Sequence, residues 1–409
     1  MSRVVDRFAP PRMGHSFRWL LASSWVSNIG DGIALAAGPL LVASQTHNAV
    51  LVALAGLLQR APWLFFGLYA GAIADRVDRR VLVMVADAAR AVVVAMLCVV
   101  IVSGHIDITL VLVAMFLLGT AEVFADTTSA TLLPMLVEKP DLGVGNARFQ
   151  ASFIVANQIV GPPVGAFLFA AGMVWPFLTQ VVCVGMGVVL IARIATPPGG
   201  VRDTSETHIW RDIVEGVRWL FAHAAVRTLA LVIFVFNITW GAAWSVLVLY
   251  SLDHLNMGEI GFALLTTAAA VGGLVGTATF GWVEAHVPLA TVMRVCLLLE
   301  VLMHLGLALT TSGTVAIALM FVFGVYAFMW GTVAQTVRQR MVPTELQGRV
   351  GSVYMMSVFG GLVIGQGLGG AIAQVWGLTA PFWFAFVGAG ITLALVWRQL
   401  GHIAHGEPD

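Results

Sequence analysis

A few ionisable side chains stand inside stretches that are otherwise apolar, and any chemistry this chain performs has to start from them. Asp31 sits midway along the first such stretch, Arg60 at a similar depth in the second, and Glu122 and Asp126 one helical turn apart in the fourth. An ionised side chain at mid-bilayer costs roughly 2.5–3.5 kcal/mol on insertion scales, so each of these invites a functional reading. Carboxylates whose protonation is set by burial and by a neighbouring arginine can take up and release protons. Asp31, Arg60 and Glu122 are therefore the candidate proton-coupling cluster. The other reading is a static buried ion pair that holds the first helices together. Asp87 and Arg90, three residues apart, read as an ion pair on one helix face. Glu300 and His304, four apart in the ninth stretch, leave two readings open: a second proton site, or an oddity at a helix interface.

Other chemistries lack their residues. The single lysine, Lys139, is followed by Pro140, so the Gly-Lys-Ser/Thr run of a phosphate-binding loop is absent. Cys98, Cys183 and Cys296 lie far apart in apolar stretches and read as small buried residues, neither a disulfide framework nor a metal site. A membrane enzyme would need a nucleophile, base or metal set at one depth, yet His304 is the only histidine clearly inside a stretch. No catalytic activity, metal or cofactor is expected, and a proton gradient would be the energy source. The net charge of zero, from 21 basic and 21 acidic residues, lacks the basic excess of a nucleic-acid binder.

The elements that must hold these residues are apolar helices. The 409 residues are 59% hydrophobic and only 10% charged, with a mean hydropathy of +0.93, too little polar surface for a water-facing globule. Apolar stretches run at 17–44, 50–74, 81–103, 109–133, 149–172 and 175–194, then at 228–250, 260–283, 291–310, 315–337, 350–376 and 381–400. Each is long enough to cross about 30 Å of hydrocarbon as a helix. With the N-terminus inside, eighteen of the 21 basic residues fall on the inner side. The other three, Arg60, Arg90 and Arg294, lie within stretches, and the outer loops carry none. The positive-inside rule then puts both termini in the cytoplasm. The longest polar gap divides the chain into residues 1–194, a linker at 195–227 and residues 228–409. Within the linker, Ile209, Ile213, Val217 and Leu220 recur at helical spacing among charges, the pattern of an amphipathic helix on the inner membrane surface.

The halves look like copies. Asn28-Ile29 matches Asn237-Ile238 at an offset of 209, Gly71 matches Gly281 at 210, and Pro134 matches Pro343 at 209. A shared offset at separated places argues for duplication of a six-helix unit.

Between the second and third stretches, Gly71, Asp75, Arg79 and Arg80 stand in the spacing G-x-x-x-D-x-x-x-R-R. In a twelve-span chain this resembles motif A of the major facilitator superfamily; the plainer reading is a basic loop obeying topology. The resemblance implies a charged knot that locks the outward-open state, with an acidic partner low on the fourth helix, where Asp126 is placed. The second-half counterpart, Gly281-Trp282-Val283-Glu284, is degenerate. Gly161-Pro162-Pro163-Val164-Gly165-Ala166 resembles the family's antiporter motif C, with Ala166 in place of the last glycine. It also reads simply as a Gly/Pro kink that lets helices pack closely. Asn28-Ile29-Gly30-Asp31-Gly32, Gln59-Arg60-Ala61-Pro62 and Gly348-Arg349-Val350 are similar to the drug:proton antiporter branch of macrolide-efflux, Tap-type tetracycline/multidrug and enterobactin exporters.

What the resemblance implies is an all-α membrane protein of twelve transmembrane helices. They form two pseudo-symmetric six-helix bundles, in a monomer of a bacterial-type cytoplasmic membrane. Its partners would be protons, lipid and a small amphipathic substrate, and it would export drugs by alternating access. The alternative is export of a native metabolite or siderophore with drug transport incidental. Trp25 and Asn28 in the first span, and Asn237, Trp240 and Trp244 in the seventh, are candidate substrate contacts. Tyr326, Trp330 and Tyr354 complete the set, since polar-tipped aromatic surfaces suit amphipathic or cationic molecules. For any one aromatic, ordinary packing between helices is the other reading.

Overall fold

The computed structural model describes residues 13–74, 77–138, 141–195, 209–343 and 346–400, and among them helices occur without any strand. The helices are α1 (Gly14–Gln45), α2 (Ala49–Ala74), α3 (Arg79–Val102), α4 (Ile108–Leu136), α5 (Leu142–Ser152), α6 (Gly161–Ala171) and α7 (Trp175–Ile191). After the linker come α8 (Ile209–Ala222), α9 (Ala224–Ser245), α10 (Gly258–His286), α11 (Leu289–Leu309), α12 (Gly313–Met341), α13 (Gln347–Trp376) and α14 (Ala380–Val396). Among the described residues ten helices are long and apolar enough to cross a membrane, and the shorter apolar helices α7 and α14 complete the set of twelve. The amphipathic pattern of the linker is realised as α8, which packs on α13 and α9. There Arg349 Nη1 donates to Glu215 Oε2 at 2.6 Å, while Gly216 lets α8 approach the Arg349 carbonyl.

The expected fifth span is not one regular helix. Pro162 and Pro163 have no N–H to offer the carbonyls of Gln158 and Ile159 four residues back. The chain answers with a π-helical stretch, Phe153–Val160, between α5 and α6. Such wide turns bend a helix and re-aim its side chains.

Helix ends are closed by short acids. The Asp78 carboxylate accepts from the backbone N–H of Arg80 and Val81 at the start of α3, and that of Asp107 accepts from Thr109 at the start of α4. Hydrogen bonds from Thr109 hold the Asp107 carboxyl below the usual carboxylate range. The cap therefore stabilises the fold above the ordinary aspartate pKa of about 3.9, and loses that effect as pH falls through the lower folded value. Asp107→Ala should lower the thermal midpoint of the detergent-solubilised protein at neutral pH. Its difference from wild type should close in acid.

The chain divides into two compact units: Met1–Thr46 with Leu58–Ser205 (unit one), and His47–Leu57 with Glu206–Asp409 (unit two). The grouping thus cuts α2 at Leu57 instead of keeping residues 1–194 together. The cause is on α13, where Gly370 presents bare backbone to Ala49, Val50 and Ala53.

Within each unit, glycines set the helix pairing. On α6, a Cβ added at Gly161 would lie 2.5 Å from the Gly32 backbone, and one at Gly165 would lie 2.2 Å from the Ile33 carbonyl oxygen of α1. Unit two repeats the device on α13, where Gly361, Gly365 and Gly369 face the carbonyls of Phe234, Ile238 and Ala242 on α9. Gly119 of α4 meets the Gln59 carbonyl of α2, and Gly324 of α12 meets the Ala269 carbonyl of α10. First pairs with fifth and seventh with eleventh, while second pairs with fourth and eighth with tenth. The duplication legible in the sequence thereby recurs as the same backbone contacts, the small-residue packing that drives association in lipid.

Candidate functional site

Close approach of α1 to the fifth span turns one face of α1 toward the interior of unit one. A polar ladder marks that face: Ser24 Oγ and Ser152 Oγ lie 2.7 Å apart, and Asn28 Nδ2 donates to the Ser24 carbonyl at 2.8 Å. Asp31, one turn on, reaches α3. Arg90 donates through Nη2 to Asp31 Oδ1 and through Nη1 to Asp87 Oδ1, the latter at 3.0 Å. Arg90 and Asp87 are buried, and Asp31 is 25% exposed. One guanidinium thus bridges two carboxylates on two helices, a use of its planar fork that a lysine cannot copy.

This chain of charges lines a cavity of about 730 Å³ lying wholly within unit one, to which Gln59, Arg60, Glu122, Asp126, Asn157 and Gln180 also contribute. The volume falls in the range of small-molecule sites. Two buried polar atoms among the lining residues, Ser27 Oγ and Gln180 Oε1, have no hydrogen-bond partner and could serve a bound molecule or water.

The structure brings Asp31, Arg60 and Glu122 to this one cavity. The cation that meets Asp31 is Arg90, not Arg60, which has no carboxylate within ion-pairing distance among the described residues. The i,i+3 pair Asp87–Arg90 exists as read, yet it belongs to the cavity as well. Asp126 is also placed differently from its expected position beside the motif-A arginine. It is open to the cavity. Arg79 instead donates to the Ala74 carbonyl at 3.2 Å and meets α4 at Met135 Sδ, 3.1 Å away. Met135 is nine residues past Asp126, roughly 13 Å along the helix axis. Gly71 lies in the last turns of α2, and Asp75 lies outside the described residues.

Trp25 leaves the site altogether, packing against the apolar cluster of Phe17, Leu21 and Ile191. Asn28 stays on the cavity wall. In unit two, Asn237 Nδ2 donates to the Ile233 carbonyl, and its Cβ faces Gly361. Trp240 stacks on Phe323 with ring centroids 4.0 Å apart, has Trp244 at 5.1 Å, and lies 6.3 Å from the His304 ring. Tyr326 OH donates to Glu300 Oε2 at 2.7 Å. Trp330 and Tyr354 are both buried, and Tyr354 carries the Arg338 guanidinium over its ring at 4.4 Å. The sequence reading missed Arg90 as the partner of Asp31, and also missed Gln180. A lone amide in an otherwise apolar span was the available signal for Gln180.

A family model described as Major Facilitator Superfamily matches residues 20–365 and, in a second match, 229–408. The multidrug efflux pump Tap of Mycolicibacterium fortuitum is 28% identical over 402 residues, covering 94% of this chain and 94% of its own. Macrolide efflux protein A of Streptococcus pyogenes is 24% identical, covering 85% and 88%. The enterobactin exporter EntS of Escherichia coli O9:H4 is 23% identical, covering 96% and 94%. Among solved structures, the nucleoside transporter NupG superposes with a TM-score of 0.74 at 12% identity, covering 95% of this chain and 99% of its own. At that identity the likeness concerns the fold.

Proposed function

The chain belongs to the Major Facilitator Superfamily, and from that membership we propose that this multi-pass membrane transporter exports amphipathic drugs in exchange for protons. It is a transporter and not an enzyme. The observation that carries the proposal is the unit-one cavity, in which Asp31, Glu122 and Asp126 line one space with Arg60 and Arg90 inside membrane-spanning helices. Acids held in such a place bind a proton when opened to the acidic side of the membrane. They release it when opened to the other side, and the charge change biases which side is open. The multidrug and macrolide efflux names of the relatives support drugs as the cargo class. The enterobactin exporter supports a second reading, export of a siderophore-like metabolite.

In this scheme Asp31 and Glu122 carry the exchanged proton, Arg60 and Arg90 hold their charge balance, and the π stretch with Gly161, Pro162 and Gly165 gives the fifth span its bend. Gly71 and Arg79 restrain one end of α2 and α3, and Asp75 joins them in the proposal on its motif-A spacing alone. Asn28 in unit one and, separately, Asn237, Trp240, Trp244, Trp330 and Tyr354 in unit two remain proposed substrate contacts, while Tyr326, 3% exposed and bonded to Glu300, does not. Trp25 is not carried forward. We place the monomer in a bacterial cytoplasmic membrane with both termini inside, on the strength of the eighteen inward positives.

The test is uptake into inverted vesicles energised by a proton gradient, with tetracycline, a macrolide and a catecholate siderophore as cargoes. Asp31→Asn should abolish gradient-driven accumulation and leave downhill exchange of cargo intact. Full gradient-driven transport by that variant would remove Asp31 from the coupling site. Movement of none of the three cargoes by the wild type would sink the export reading.

A further inference from the structure

The second unit contains a polar cluster that export through the unit-one cavity does not use. On α11, Glu300 and His304 stand one helical turn apart, and Tyr326 reaches them from α12. Glu300 Oε1 lies 3.0 Å from His304 Nε2, and Glu300 Oε2 accepts from Tyr326 OH at 2.7 Å. All three are sealed in the unit: relative exposure is 6% for Glu300, 0% for His304 and 3% for Tyr326. His304 Nδ1 is buried without any hydrogen-bond partner.

The surroundings hold little that could compensate a charge. On α11 itself Cys296 lies one turn from Glu300, and Arg294 is directed away, its Nε donating to the Trp397 carbonyl at 3.1 Å. On α12 the nearest basic residue with a described side chain is Arg338, twelve residues from Tyr326 and so roughly 18 Å along the axis. α14 contains no ionisable residue, and the single charged residue of α9 is Arg227, in its first turn. Tyr250 and His254 meet the far end of α11, at the carbonyls of Leu307 and Thr310.

Charge bookkeeping then constrains the cluster. With neutral histidine donating through Nε2 and tyrosine donating its O–H, the carboxylate leaves one net negative charge in a low-dielectric interior, and Nδ1 is an empty acceptor. One added proton cancels that charge. It sits on Nδ1, giving an imidazolium–carboxylate pair, or on the carboxyl beside a neutral imidazole. Groups enclosed this tightly admit no cargo molecule, so the ligand that fits is the proton. We infer that Glu300, His304 and Tyr326 form a second proton-binding site, in unit two, holding one exchangeable proton. The inference rests on the proton-coupled reading given above. Trp240, against the imidazole and stacked on Phe323, places a proposed substrate-contact residue next to the site.

Two measurements on the full-length protein test this. In proteoliposomes, the proton-to-tetracycline ratio is read from the membrane potential at which net flux stops. Glu300→Gln keeps a group of the same shape that can still bond Tyr326 and His304, and it should transport one proton fewer per tetracycline than wild type. An unchanged ratio overturns the inference. In lipid nanodiscs, nitrogen-15 histidine spectra report His304, assigned by the loss of its signal in His304→Gln. A second proton site predicts that the His304 ring-nitrogen signals change across a series from about pH 5 to about pH 9, whether the proton lands on the imidazole or on the carboxyl bonded to it, and that the change differs in Glu300→Gln. A His304 signal constant across that range in both proteins overturns it. If wild type moves its cargo without protons, the proton-coupled reading fails; if it moves no tetracycline, the ratio is read with whichever of the macrolide or the siderophore it does move, and in every case the spectra still decide whether the site binds a proton.

Discussion

Arg90→Leu is expected to abolish gradient-driven transport and to destabilise the protein by about 3–5 kcal/mol, the usual cost of removing one partner from a buried ion pair. The magnitude follows from geometry. Among the described residues Arg90 alone contacts Asp31 and Asp87 together, donating to each through a different nitrogen. Without it, two neighbouring carboxylates on the cavity wall are left with no cation in contact, and their repulsion favours taking up a proton. That would disable any coupling that depends on Asp31 changing charge. Arg90→Lys should recover part of the stability and little of the transport, because an ammonium is a point charge and cannot span both carboxylates in one geometry. The decisive comparison is the neutral triple variant, Asp31→Asn with Asp87→Asn and Arg90→Leu. Its thermal midpoint should return most of the way to wild type, since no unpaired charge is left behind, while transport stays absent. If the triple variant were as unstable as Arg90→Leu, the loss would come from packing at α3 and not from charge. Thermal unfolding in detergent and vesicle uptake, run on the same preparations, give both readings.

Gly165→Leu should leave no folded transporter in the membrane fraction, and Gly165→Ala should already reduce it sharply. A Cβ at this position would sit 2.2 Å from the Ile33 carbonyl oxygen, where a carbon–oxygen contact needs about 3.3–3.6 Å. The obstacle is backbone and not the end of a flexible side chain, so α6 and α1 must separate by more than an ångström. The Gly32–Gly161 contact beside it and the approach of α1 to the π stretch would separate with it. Gly365→Leu should fail in the same way in unit two, against the Ile238 carbonyl at 2.2 Å. Gly185→Ala is the control, because a Cβ there meets nothing within 4 Å. The measurement is the yield of monodisperse protein by size-exclusion chromatography with fluorescence detection. Near-normal yield of Gly165→Leu would mean that the two helices are not held at this distance.

Much of this was legible before any coordinates. Each expected span appears as a helix with ends moved by a few residues, except that the fifth is two helices joined by a π stretch and the seventh gives way after Ser245 to a single turn, Leu247–Leu249, and a second π stretch, Tyr250–His254. The linker helix is described over Ile209–Ala222, the residues on which the apolar spacing recurs. The proline pair marked the place where the fifth span departs from a regular helix. Even the two-fold pattern of close contacts was foreshadowed by a constant offset between the halves. These features depend on properties summed over many residues or on the local chemistry of Gly and Pro, and both are carried by the chain itself.

What escaped the reading was azimuth. Arg60 and Arg90 lie in neighbouring spans with equal claims on Asp31, and choosing between them requires the rotation of three helices about their axes. Nor did any sequence feature turn Trp25 into an apolar cluster while Asn28, three residues on, faces the cavity, because both faces of α1 are buried in places. Asp126 was assigned by its position along α4, yet its distance from Arg79 depends on where α3 starts against that helix. Glu300 and His304 looked anomalous in an apolar span, and Tyr326, 26 residues from Glu300, explains them only once α11 and α12 are packed.

The sequence alone determined how many helices cross, where they end and which kinds of residue are placed among the lipid-soluble ones. Hydrophobicity and the Lys/Arg bias act on each segment independently of its neighbours. Which carboxylate meets which cation was decided in the assembled bundle. A helix in lipid has no hydrophobic reason to prefer one face over another. Its rotation is set by the few places where glycine lets two backbones touch, as Gly32, Gly161 and Gly165 do for the helix that carries Asp31.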